Sequence, residues 1–365
     1  MRIHKYLICH KNFRFTLSLL CSSALIFLLC VSSTLFADTD TLKRIAEAER
    51  EVNYVGVRLK TFIWSRGTRT FEELVIHKSP DVFCGKEISA VGERKSFEGS
   101  RDDENRRDNR RRDRDEHRRN SRDRGREQSR WRQHRNLFSE KEIALIAQNY
   151  NLEKSSSTEK IANYETDILT ITPKFANRPT KRIFFARENG AILRSEEIDA
   201  EGVLRAMFVY TRISFDPETV ERKWHAFQKE IKLEPQRSHS ISLAEGEKIL
   251  KIKPIQPKYL PPGFQLRDVH GIKGRNQTIH LIYTDGLLDF SIFETTDKGA
   301  LRDSGRHRES DTIEIGGTRV HKHRRGPTHA FSWSSQQIRF FLFGVMPASE
   351  MQKVVESIIH IAKEK

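Results

Sequence analysis

The chain has 365 residues, with 65 Lys+Arg against 50 Asp+Glu, a formal net charge of +15 and a pI near 9.7. A balance this basic favours polyanionic partners or membrane surfaces. Three of the 4 cysteines, Cys9, Cys21 and Cys30, fall within the first 37 residues, so Cys84 stands alone in the rest, which excludes an intrachain disulfide or a cysteine-held zinc there.

Arg2, Lys5, Lys11 and Arg14 precede an uncharged stretch from Phe15 to Ala37, and Asp38 is the first acid. A basic front, an apolar middle and a small residue before a polar segment make an export signal over 1–37, with Ala37 as the cleavage point. The same stretch is long enough to stay uncleaved as an N-terminal membrane anchor. In both cases the basic front remains cytoplasmic and the chain is placed in the periplasm or another extracytoplasmic space. The roughly 330 residues that follow suffice for two domains of ordinary size.

Thr39 to Glu51 reads as a short amphipathic helix with Leu42, Ile45, Ala46 and Ala48 toward one side. From Tyr54 the period becomes two. Val55, Val57, Leu59, Thr61 and Ile63 alternate with Arg58, Lys60 and Trp64, as in a strand with one covered face. Arg66-Gly67-Thr68 turns the chain into a second strand over Thr70 to His77, and Ser79-Pro80-Asp81 leads to further short strands over Val82 to Arg94. Composition then breaks: Arg101 to Arg135 holds 15 arginines and 9 acids, no aliphatic residue and Trp131 as its only aromatic. Such a segment buries too little apolar area to offset its ordering entropy, so 100–129 is expected to be a disordered insertion.

Ser139 with Glu140 and Glu142 marks a helix start, and Ile143, Ile146, Ala147 and Tyr150 form its apolar stripe. Strands follow over Thr166 to Thr172, Arg182 to Arg187, Ile192 to Ile198 and Val203 to Ser214. The turns between them, Asn177-Arg178-Pro179, Glu188-Asn189-Gly190 and Asp199 to Gly202, are closely spaced and predict an antiparallel meander. The first domain therefore runs over 38–217, and the polar stretch 218–247 with Pro235 reads as an irregular linker. A second domain over 248–365 opens with Tyr259-Leu260-Pro261-Pro262-Gly263-Phe264. It continues with hairpins at Asp285-Gly286, Gly316-Gly317 and between Trp333 and Gln337. It ends in a helix from Pro347 with Met351, Val354, Val355, Ile358 and Ile359 on one side. The fold class is α+β.

No phosphate loop, zinc-protease helix or serine-nucleophile motif occurs, and the reading is of no enzyme, no catalytic residue and no cofactor. His321 and His323 share one side of a predicted strand, but without a third ligand at suitable spacing they read as a solvent-facing pair and not as a metal site. Asp285 is turn chemistry and Asp289 an outward strand residue. Cys84 is expected to be buried.

Asn53-Tyr54-Val55-Gly56, the Arg178-Pro179 turn, Glu188 to Arg194, the Asp199 to Gly202 turn, Tyr259 to Phe264 and Tyr283 to Ser291 together resemble the MucB/RseB family of exported sigma-factor regulators. The resemblance implies a first domain similar to the lipoprotein carriers LolA and LolB, an antiparallel half-barrel closed by short helices. It implies a smaller sheet-plus-helix domain after it. It also implies binding of a transmembrane anti-sigma factor, shielding it from proteolysis, with lipid-like signals relieving the shielding; lipopolysaccharide phosphates or anionic lipid headgroups are candidate ligands of the arginine run itself. The arginine-rich insertion departs from the family pattern. On that fold Val55, Val57, Leu59 and Ile63, Ile183 with Phe185, and Leu204 with Phe208 are expected to form the apolar concave face. Individual binding residues stay unassigned. Two other readings remain open: a periplasmic lipid or lipoprotein carrier, and a polyanion or anionic-membrane binder working through the insertion. A nucleic-acid partner is disfavoured by the export signal, and a homo-oligomer stays open.

Overall fold

The structure is a computed structural model that describes residues 38–64, 67–79, 82–91, 132–133, 138–231, 238–272, 277–296, 312–325, 328–335 and 338–364. The export signal expected over 1–37 and the insertion expected over 100–129 lie outside the described residues.

Among them, nine strands make one antiparallel sheet. They are β1 (Tyr54–Trp64), β2 (Gly67–Lys78), β3 (Val82–Val91), β4 (Arg132–Gln133), β5 (Tyr150–Ile161), β6 (Tyr164–Pro173), β7 (Thr180–Ala186), β8 (Ile192–Ile198) and β9 (Leu204–Ser214), in the order β4-β3-β2-β1-β9-β8-β7-β6-β5. Two meanders are thus joined where β1 pairs β9, Arg58 opposite Tyr210 and Lys60 opposite Phe208. Helix α1 (38–51) and helix α2 (Glu140–Asn149) cover one face of this sheet. Leu42, Ile45, Ile143 and Ile146 pack there on Leu169, Ile171, Ile183 and Phe185. The start of α2 is a capping box, with Glu142 N–H donating to Ser139 Oγ and Ser139 N–H to the Glu142 carboxylate.

The segment read as an irregular linker is helical over α3 (Pro217–Phe227), started by Asp216, whose carboxylate accepts from Thr219 N–H at 2.8 Å. Its Val220, Trp224 and Phe227 pack on Val55, Ile76, Val82 and Cys84, the sheet face opposite α1. Its apolar stripe follows helical spacing but is flanked by charges, so the segment reads as polar in sequence. Strand β5 was also unanticipated. It is an edge strand of mostly exposed polar residues, held by pairing with β6 and showing little alternation. On the outer face of β7 the guanidinium groups of Arg182 and Arg194 cover the Phe184 ring at 5.2 and 4.6 Å.

Eight further strands form the second antiparallel sheet: β10 (Ser238–Ser240), β11 (Gln265–Ile272), β12 (Thr278–Thr284), β13 (Asp289–Thr295), β14 (Thr312–Ile315), β15 (Thr318–Arg325), β16 (Thr328–Ser335) and β17 (Ile338–Gly344), in the order β10-β11-β12-β13-β17-β16-β15-β14. Helix α4 (Leu243–Leu250) and helix α5 (Ala348–Glu364) lie on one face. Met351, Val354, Val355, Ile358 and Ile359 of α5 are buried on Leu281, Ile292, Phe331 and Leu342. Each such side chain contributes about 1.5–3 kcal/mol when fully buried. The two sheets with their short helices make the α+β arrangement expected.

Candidate functional site: a half-barrel cavity and an interdomain joint

A cavity of about 260 Å³ opens between α1 and the strands β1, β9, β8 and β7. Directly opposite residues in a sheet share a face, so the register identifies its walls. Arg58 faces Tyr210 and Glu73, and Lys60 faces Phe208 and Phe71. Phe62 faces Ala206, which with Glu197 and Lys181 completes a row across four strands. Tyr54 and Phe83 close one end of the cavity, and Ala48 and Glu49 of α1 roof it.

The concave set on β1 is therefore Tyr54, Arg58, Lys60 and Phe62, which corrects the expectation of Val55, Val57, Leu59 and Ile63. Val55 packs beneath α3 and Ile63 lines the cleft between domains. Both faces of β1 are covered, and the missed helix claims the aliphatic one. Ile183, Phe185 and Phe208 do face the helix-covered side as expected. Gly56 belongs to this geometry, because a Cβ there would lie 2.7 Å from the Arg212 carbonyl oxygen and 2.9 Å from the Tyr210 ring.

At the cavity wall a buried ion pair is wrapped in aromatic rings. Arg58 donates to the Glu73 carboxylate at 2.8 Å, and Lys60 Nζ stands 3.6 Å from it. The Arg58 guanidinium lies 4.7 Å from the Phe208 ring centre and 5.7 Å from that of Tyr210. Burial opposes its charge, but the Glu73 carboxylate beside it helps hold the guanidinium protonated. Burial pushes the Tyr54 and Tyr210 hydroxyls well up, so both stay neutral donors. The Tyr210 hydroxyl is buried near Tyr54, with no partner in good hydrogen-bond geometry among the described residues. His77 stacks on the Tyr54 ring, its Nδ1 sits 2.6 Å from the Val52 carbonyl oxygen, which can only accept, and burial lowers the His77 pKa. The arrangement suits an amphipathic guest: aromatic walls for an apolar body, cations and a free hydroxyl for a polar end.

A second construction joins the domains. The β12–β13 turn inserts Asp285, fully buried, against the C-terminal end of α2. Asp285 Oδ2 accepts from the Tyr150 hydroxyl at 2.7 Å and from Arg178 at 2.8 Å. Its Oδ1 accepts from the N–H groups of Leu287 and Leu288, the turn chemistry expected of it. Asn149 donates to the carbonyl oxygens of Asp285 and Gly263, and Arg178 also donates to the Pro262 carbonyl. Beside this, Arg267 of β11 bridges Glu142 of α2 and Asp289, which is not simply outward. Backbone approach is close: Gly286, at φ +106°, would place a Cβ 2.8 Å from the Ile146 backbone nitrogen. Leu287 reaches the core under α1 and α2. Three stretches that carried the family resemblance, Arg178-Pro179, Tyr259 to Phe264 and Tyr283 to Ser291, meet here. Their turn residues are legible in sequence; their meeting is not. Around Arg178 a cleft of about 420 Å³ lies between the domains, walled by Asn177, Pro179 and Arg205 on one side and Arg324, His329 and Met346 on the other.

His321 and His323 lie on β15, half-buried, with His321 Nδ1 at 3.3 Å from the Thr312 hydroxyl. Among the described residues no group of three or more His, Cys, Asp or Glu is placed to hold a metal. Cys84 is buried as expected, and burial pushes its thiol up to about 11.

No protein-family model matches the sequence, and no curated protein matches it closely enough to name a relative. The three-dimensional comparison is informative. A crystal structure of MucB in complex with MucA(peri) is 17% identical, with a TM-score of 0.50 over 87% of this chain and 97% of that one. The structure of the Pseudomonas aeruginosa MucA/MucB complex is 16% identical, with a TM-score of 0.50 over 88% and 98%. The chain has the MucB fold. At this identity the likeness speaks for the fold, and it spans both domains of MucB in order, in agreement with the MucB/RseB resemblance read from the sequence.

Proposed function

We propose that this chain is an exported, non-catalytic regulator of an extracytoplasmic stress response that binds the exported part of a membrane-anchored anti-sigma factor. One observation carries the reading: the fold matches, over both domains, a protein whose solved structures hold it with MucA. Bound in this way, the regulator shields its partner from proteolysis by occupying the cleaved region, a steric effect that needs no reacting group. The half-barrel cavity takes a lipid-like ligand whose binding relieves the shielding. Its aromatic wall supplies apolar area, worth roughly 0.8 kcal/mol per buried methylene, and Lys60 and Lys181 stand at its lining for an anionic end. Extracytoplasmic placement rests on the leader; among the described residues no helix is long and apolar enough to cross a membrane.

The test is affinity capture by the full chain from an envelope extract. Recovery of a single-pass membrane protein with a cytoplasmic sigma-binding domain is the expected result; its repeated absence counts decisively against the reading. The cavity also supports the carrier reading, in which the half-barrel moves a lipid or lipoprotein between membranes. Native mass spectrometry of a stoichiometric acyl ligand, followed by its transfer to a second membrane, distinguishes that case. The polyanion reading rests on 100–129, outside the described residues, and is tested by vesicle binding after deletion of that segment.

A further inference from the structure

The interdomain joint differs in kind from the cores on either side of it. Its centre is polar: Asp285, Arg178, Tyr150 and Asn149 satisfy one another only while the domains are docked. Its apolar part is small: Leu287 against the core under α1 and α2, Gly286 beside the Ile146 side chain, and the Phe264 ring 5.2 Å from the Arg178 guanidinium. Each domain keeps its own apolar core apart from this contact, the second beneath α5 and the first beneath α1, α2 and α3. Separating the domains therefore moves ionised and hydrogen-bonding groups into water, which resolvates them, and exposes little hydrocarbon.

Orientation, by contrast, is tightly specified. Two donors from different elements converge on one carboxylate oxygen of Asp285. Backbone at Gly263 and Gly286 approaches α2 so closely that a Cβ at Gly263 would lie 2.4 Å from Asn149 Oδ1. Buried polar clusters are best attested as devices that specify geometry, more than as sources of raw stability. We propose that the Asp285 joint is a conformational lock: closed, it holds the two domains at one angle, and it opens as a unit without unfolding either. Arg178 makes the lock consequential, because its chain neighbours Asn177 and Pro179 wall the 420 Å³ cleft. The state of the joint sets the width of that cleft. This inference rests on the joint's geometry and does not depend on which partner the protein binds.

The experiment is hydrogen exchange on the full chain, comparing wild type with Asp285→Asn, which keeps the shape but leaves the Arg178 charge buried without its counter-ion. Peptides covering 146–150 and 284–288 are expected to exchange roughly a hundred- to a thousand-fold faster, while peptides of α5 and of β6–β7 keep their wild-type rates. Pairing Asp285→Asn with Arg178→Gln removes both charges and retains the hydrogen-bonding groups, and it restores at least about tenfold of the lost protection. Should Asp285→Asn fail to accumulate as folded protein, Leu287→Ala supplies the same comparison. Wild-type protection at both joint peptides in these variants overturns the lock. So does an equal loss of protection throughout both cores, which would make the joint inseparable from folding.

Discussion

Each sheet of this protein has a face covered by a pair of helices, α1 and α2 on the first and α4 and α5 on the second, yet the two faces are used differently. Beneath α5 the second sheet presents Leu281, Ile292, Phe331 and Leu342, which fill the space against Val354, Val355 and Ile358. Beneath α1 the first sheet presents Tyr54, Arg58, Lys60 and Phe62 on β1 and Phe208 and Tyr210 on β9, and a cavity of about 260 Å³ remains among them. Rigid rings and long charged side chains surround a gap that branched aliphatic residues would close. The first sheet retains an ordinary core under α2, through Leu169, Ile171 and Ile183. Openness is thus local, and the second domain is the filled member of the pair.

If that contrast is right, the largest effect comes from breaking the buried charge pair in the open sheet. Arg58→Ala leaves the buried Glu73 carboxylate to the longer Lys60 contact at 3.6 Å and is expected to cost about 3–5 kcal/mol in urea unfolding. Arg58→Met with Glu73→Gln should recover most of it, since neither member of the pair then carries a buried charge. In the filled sheet, Ile292→Ala creates a cavity where none is accommodated and should cost about 2–5 kcal/mol. Removing the α2 cap by Ser139→Ala should cost about 1 kcal/mol and leave the second domain's core protection unchanged by hydrogen exchange. Filling the first sheet's gap with Ala206→Leu is expected to change stability by less than about 1 kcal/mol. The same change should abolish fluorescence enhancement of anilinonaphthalenesulfonate in the cavity; an unaltered signal would show that the dye binds elsewhere.

A pH-dependent effect sharpens the contrast on the second sheet's other face. Burial, helped by His270 and Arg267, pushes His280 from 6.5 down to about 4, and its ring stacks on Phe293 at 4.1 Å. The unfolded chain then binds the proton more readily than the folded one between those two values. Stability from this group is complete above pH 6.5 and is lost as pH falls toward 4. His280→Gln should flatten that limb of a pH–stability curve measured by chemical unfolding.

Much of the first domain could be read from residue order. The capping box at Ser139 and Glu142 signals α2 unaided, and Asp285-Gly286 signals its hairpin, because capping and turn preferences act over three or four residues. Helix α3 carries a start signal in Asp216 and Pro217 and an apolar stripe of Val220, Trp224 and Phe227, but the charges around that stripe and the polar stretch after it made the whole segment read as linker. That omission propagated. With α3 unseen, the aliphatic positions Val55, Val57, Leu59 and Ile63 were the natural choice for the covered face of β1, and the charged positions for solvent. Alternation distinguishes two faces of a strand; it does not say which helix lies over which.

The amino-acid order by itself determined most of the strands and their turns, the α2 cap and the final amphipathic helix, all of which follow from backbone preference and hydrophobic period within a few residues. Only the tertiary structure decided that Arg58 turns inward beside Glu73, and that Asp285 meets Tyr150 and Arg178, which stand 135 and 107 positions away along the chain. Such contacts depend on how whole sheets curl and dock, and a buried charge is tolerated only where distant partners arrive to satisfy it.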